Sequence, residues 1–186
     1  WLQGAYSAGG RGRIMSKVMQ EEAFPEGVNL LFAILTRYPE IGYLELGAEE
    51  RVLHLTFFVQ ETLDDERARS LGELLFESAT AYHLLEGYAY DTMEFEYSFH
   101  EGVTFLTVVR DLNSLSRGEI SVLVEVLKDQ LGAALVVDYQ AELPPGTEEI
   151  PGDEEYLDGL FQSIRRLPPQ TLIGIREEGR VLVYTQ

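Results

Sequence analysis

The stretch TMEFEYSFHEGVTFLTVVR, residues 92–110, constrains the fold more than any other part of this 186-residue chain. Met93, Phe95, Tyr97 and Phe99 alternate with Glu94, Glu96 and Ser98. Successive side chains of a strand point to opposite faces, so the alternation predicts a strand with one buried face and one wet face. His100-Glu101-Gly102 supplies a turn, and Val103 to Arg110 returns as the partner strand. An amphipathic hairpin must lay its apolar side against another layer.

Helices on either side of it supply that layer. In TLDDERARSLGELLFESATAYHLLEG, Thr62 is the expected cap, and Asp64, Asp65 and Glu66 suit the positive end of a helix dipole. Leu71, Leu74, Leu75, Ser78, Tyr82 and Leu85 form the expected inward stripe, and Gly87 ends the helix. In SRGEISVLVEVLKDQLG, Ser116 and Glu119 have capping-box spacing. Ile120, Leu123, Val124, Leu127 and Leu131 follow at helical intervals, Gly132 closes the helix, and AALVVDYQ reads as a further strand.

Upstream, residues 26–38 between Pro25 and Pro39 read as a short, largely buried helix. IGYLELGAEERVLHLTFFVQ reads as a hairpin turning at Gly47 to Glu50. Its second strand is apolar on both faces, which places it centrally in a sheet.

From residue 51 to 140 the order is therefore strand, helix, strand, strand, helix, strand. The expected class is α+β, with a core resembling the ferredoxin-like βαββαβ motif and an antiparallel sheet. An N-terminal helix, an extra edge strand near residue 43 and a C-terminal helix plus β-hairpin would complete it. Residues 15–140 form the expected main domain. Residues 141–153 carry prolines, glycines and acids, the marks of a linker. Residues 154–186 form a helix-hairpin appendage too small to hold a core alone, so it docks on the main domain or on another subunit. Helix followed by hairpin recurs at 26–59, 64–110 and 154–185, but no side-chain pattern repeats at a fixed period, which argues against a repeat array.

Charge narrows the partners. Lys and Arg total 14 against 32 acidic residues, a net charge of −18. Without residues 1–14, which contain Arg11 and Arg13 and no acid, the balance is −20. A chain with only Lys17 and Lys128 as lysines is poorly equipped for phosphate contacts, which argues against nucleic acid and anionic membranes as partners. The absence of cysteine removes disulfides and thiolate chemistry and fits a cytoplasmic location. The Gly/Arg-rich run before Met15 reads as a non-native segment over residues 1–14, vector-derived or upstream read-through, with Met15 as the natural start.

Signals for chemistry are sparse. His54, His83 and His100 have no second histidine at metal-ligand spacing. Glu94 and Glu96 share a strand face, as paired acids or as a solvated surface. The acidic run from Glu148 to Glu155 lacks a calcium-loop pattern. Phe95, Tyr97 and Phe99 read as core rather than a base-stacking platform, because the opposite face carries glutamates. No catalytic, cofactor-binding or metal residue is assigned, and no cofactor is expected. The resulting expectation is a small acidic protein-interaction or adaptor protein without catalytic activity, binding a protein partner or itself. A small-molecule-sensing regulatory domain is the alternative. A cofactor-free enzyme using carboxylates and a histidine ranks last.

Overall fold

The structure is a computed structural model that describes residues 26–47, 49–138, 154–168 and 171–185, together with the backbone of Arg13 and Ile14. In chain order its elements are β1 (Arg13–Ile14), α1 (Glu26–Arg37), β2 (Ile41–Gly47), β3 (Val52–Val59), α2 (Asp65–Glu86), β4 (Met93–His100) and β5 (Val103–Asp111). Then come α3 (Arg117–Leu131), a 3-10 turn (Gly132–Ala134), α4 (Glu154–Ile164), β6 (Leu172–Glu177) and β7 (Arg180–Thr185).

The strands form one antiparallel sheet in the order β1-β7-β6-β2-β3-β5-β4, with β1 contributing only a two-residue pairing to β7. The fold is α+β, as the hairpin and helix patterns predict. One rung crosses six strands: Val183, Gly174, Leu44, Leu55, Val108 and Phe95 lie side by side. Leu31 and Leu35 of α1 approach this rung at Gly174, and Gly72 of α2 abuts its far end at Phe95. Both helices therefore cover the same sheet face. Leu53, Leu55, Phe57 and Val59 on that face are fully buried, which places the core between sheet and helices.

α1 is apolar all round because it is covered on two sides. It packs against β2, β6 and β7 on one side and against α4 on the other, and its buried residues run from Gly27 through Leu35 except Asn29. α2 and α3 pack together over the other half of the sheet.

Several expectations need correction. The segment AALVVDYQ makes a 3-10 turn and then a single antiparallel bridge, Leu135 to Val59; residues 139 and 140 lie outside the described residues. The ferredoxin-like order is consequently incomplete: β3, β5 and β4 are arranged as that motif requires, but among the described residues the fourth strand does not form. β2 occupies its position, pairing with β3 from Gly47↔Val52 to Ile41↔Phe57. For the same reason β2 is an interior strand between β6 and β3, not an edge. The C-terminal hairpin joins the sheet within the same chain, through β6 on β2. The linker at 141–153 and residues 1–12 lie outside the described residues.

In α2 the cap is Asp64 rather than Thr62, its carboxylate accepting from the Arg67 backbone N–H at 2.8 Å. The buried stripe is Ala68, Leu71, Gly72, Leu75, Ala79 and His83, whereas Leu85 is 87% exposed. Glycine, alanine and histidine carry little apolar signal, so the true stripe is muted in the sequence while the exposed Leu84-Leu85 pair stands out.

Candidate interaction site

Arg110 is the least expected residue of the core. It follows Leu106 and Val108 on the inward face of β5 and is fully buried. A buried guanidinium is tolerated only when its charge and donors are satisfied. Its Nε donates to Glu119 Oε1 at 2.5 Å and its Nη2 to Glu119 Oε2 at 2.9 Å, a two-pronged grip on a fully buried carboxylate from α3. Nη1 donates to Asp111 Oδ1 at 2.6 Å and to the Thr92 carbonyl. Tyr90 lies over the guanidinium, 5.1 Å from ring centre to Cζ.

His83 completes the cluster from α2. Its Nε2 lies 2.8 Å from Glu119 Oε2 and 3.2 Å from Arg110 Nη2. A carboxylate oxygen only accepts and a guanidinium only donates, so the two contacts compete for Nε2: the shorter one to Glu119 is a hydrogen bond in the tautomer with the proton on Nε2, the one to Arg110 in the other. Tyr82, Tyr88 and Tyr90 surround the imidazole, with ring centres 4.8–5.7 Å away.

Asp111 turns this cluster into a clamp. Its Oδ1 accepts from the backbone N–H groups of Asp91 and Thr92, and its Oδ2 accepts from that of Ser114 at 2.8 Å. The Ser114 hydroxyl also donates to it. Burial raises the pKa of Asp111, but the bonds from Ser114, Thr92 and Arg110 outweigh it and hold the carboxyl well below the usual range. For Arg110, burial works against the charged form, and Glu119 and Asp111 reverse the balance to raise its pKa. The clamp fixes residues 91–92, the entry to β4.

β4 is the end strand of the sheet, hydrogen-bonded to β5 on one side and to no described strand on the other. Alternate N–H and C=O groups along its outer side therefore point away from the sheet. Beside that edge runs a groove of about 360 Å³ between β4 and α2, lined by Arg69, Gly72, Glu73, Phe76, Glu77, Phe95 and Tyr97. Gly72 lets the Phe95 ring lie directly against α2: a Cβ there would overlap the ring. Phe76 and Phe99 stay 46% and 41% exposed, large apolar groups left facing solvent. Tyr97 is anchored to Asp65 at 3.3 Å.

A second hollow, about 510 Å³, opens where residues 88–91 face the start of α3 and α4. Tyr88, Asp91, Asn113, Ser114, Phe161 and Gln162 are among its lining residues.

The sequence candidates divide clearly. His83 enters the buried cluster, while His54 sits half-buried on the helix-free face of β3 opposite Glu45 and Val109. His100 is exposed at the end of β4, 3.8 Å from Glu101. Glu94 and Glu96 project together from the exposed face of β4, and Phe95, Tyr97 and Phe99 stack in series on the other. Of the acidic run, residues 148–153 lie outside the described residues, and Glu154 pairs with Arg37 and Arg117. Among the described residues no group of three His, Asp or Glu side chains has the arrangement of a metal site. No described helix is long and apolar enough to cross a membrane. The Arg110 cluster was not anticipated. Its signal was an arginine at an inward register position, two residues after Val108.

No protein-family model matches the chain, and neither a curated protein nor a solved structure matches it.

Proposed function

We propose that this chain is a non-catalytic protein-interaction or adaptor module that receives an extended segment of its partner at the open edge of β4. The observation that carries this reading is the juxtaposition of an unpaired strand edge with an apolar groove under exposed Phe76. Main-chain hydrogen bonds to such an edge give affinity, and pockets for alternate side chains give specificity. The buried Arg110 cluster then serves as the device that holds the edge in place, since Arg110 and Asp111 both bond to the entry to β4 at residues 91–92.

The cluster's geometry disfavours the enzymatic reading. Ser114 donates to Asp111, not to His83, and His83 Nε2 faces Glu119 and Arg110. No nucleophile and base are thereby paired.

The experiment is site-specific photo-crosslinking in lysate of the source organism, with the photoreactive residue at Ser98 or Glu96 and a control at Glu155. A discrete crosslinked protein from the β4 positions, missing from the control, is expected. Identical patterns from both would overturn the reading.

The hollow beside Tyr88 and Ser114 favours a second reading, a small-molecule sensor. Saturable stabilisation by a metabolite, abolished by Asn113→Ala, would establish it in place of the first.

A further inference from the structure

We infer that the segment received at β4 is a basic, extended strand that alternates Lys or Arg with apolar residues. This rests on the open-edge reading above and names the chemistry of its partner. A strand added to β4 continues the sheet's two faces. Its outward side chains lie level with Glu94, Glu96 and Ser98, all exposed on the face that no described helix covers. Its inward side chains enter the groove against Phe76, Phe95 and Tyr97. Opposite charges directly across a strand pair stabilise it, and like charges oppose it. Cations are therefore required on one face of the incoming strand and apolar groups on the other.

The groove rim adds to this preference. Glu73 and Glu77 of α2 stand beside Phe76, against the single cation Arg69. Around them the whole chain carries −18, a field that attracts basic segments and repels acidic ones. A second copy of the chain is disfavoured by the same argument. Antiparallel pairing of β4 with its own copy sets the Glu94-Glu96 row against its equivalent. Arg13 is on the opposite margin of the sheet, where it and Ile14 pair with Val183 and Leu182.

The test uses the full chain and three labelled synthetic peptides of equal length that alternate valine with lysine, with glutamate or with threonine. Binding is followed by fluorescence anisotropy, and the site by hydrogen exchange of the β4 amides. The lysine peptide is expected to bind, to protect amides within residues 93–100, and to weaken as salt rises. The double variant Glu94→Lys with Glu96→Lys is expected to bind the lysine peptide roughly tenfold more weakly or worse, and to gain affinity for the glutamate peptide. That exchange of preference cannot come from a misfolded protein. Protection of β4 by the threonine or glutamate peptide, equal to or greater than that by the lysine peptide, would overturn the basic-strand inference and leave the open-edge reading standing. If no peptide protects β4 amides, both fall. A stable dimer of the free chain with β4 amides protected would replace the basic strand with a second copy.

Discussion

His83 Nε2 and Glu119 Oε2 lie 2.8 Å apart in the interior, joining α2 to α3 directly above the Arg110 guanidinium of β5. One polar junction therefore fixes the two helices over the far half of the sheet and, through Asp111 and Thr92, the start of the edge strand. What happens when the junction is cut can be stated in advance.

Arg110→Ala leaves Glu119 and Asp111 buried without their cation. A loss of about 3–5 kcal/mol in urea unfolding is expected, the range for breaking a buried ion pair from one side. Glu119→Gln should be milder, because the amide oxygen still accepts. The double variant should cost less than the sum of the single ones, since the two residues share one interaction.

Asp111 gives the junction a pH dependence. A carboxyl held below its ordinary pKa contributes stability that is complete above that ordinary value, about 4, and is lost as pH falls towards the folded-state pKa. Melting temperature should drop steeply below about pH 4. Asp111→Asn should lower stability at neutral pH and flatten the acid limb of the profile. An unchanged acid limb in this variant would count against the clamp.

Gly72 decides how closely α2 and β4 approach. Gly72→Ala is expected to destabilise by about 1–3 kcal/mol through overpacking against Phe95. Phe95→Leu in the same chain should recover part of that loss, which equilibrium denaturation of the single and double variants will measure.

The exposed end of α2 separates sequence reading from structure. Leu85→Ser should change stability by no more than about 0.5 kcal/mol, because the side chain is 87% exposed. Leu75→Ala, on the buried face, should cost about 2–5 kcal/mol.

Those two leucines show where the sequence was readable. The β4–β5 hairpin was legible because its alternation is strict, and its turn has Glu101 and Gly102 at φ 49° and 82°. The capping Ser116 was legible for the same local reason, its hydroxyl accepting from the Glu119 N–H at 3.3 Å. The side chain of Glu119 was not, since it turns inward to Arg110 and His83, partners 9 and 36 residues away. Strand neighbours were equally hidden. Nothing local in AALVV announces that β2 already occupies the place beside β3. The open edge of β4 follows from that order of strands, so the candidate site was visible only as an alternation of Glu and aromatic residues.

The interior position of β2 sets a timetable for synthesis. Leu44 pairs with Gly174, so one flank of β2 stays bare until the β6–β7 hairpin leaves the ribosome. Until then α1 also lacks β6 and β7, which cover one side of its apolar circumference. A nascent or truncated chain ending before residue 171 exposes the sheet-facing side of that helix and one flank of β2 together, a combination that invites aggregation. The β6–β7 hairpin is thus the step on which covering of both β2 and α1 depends.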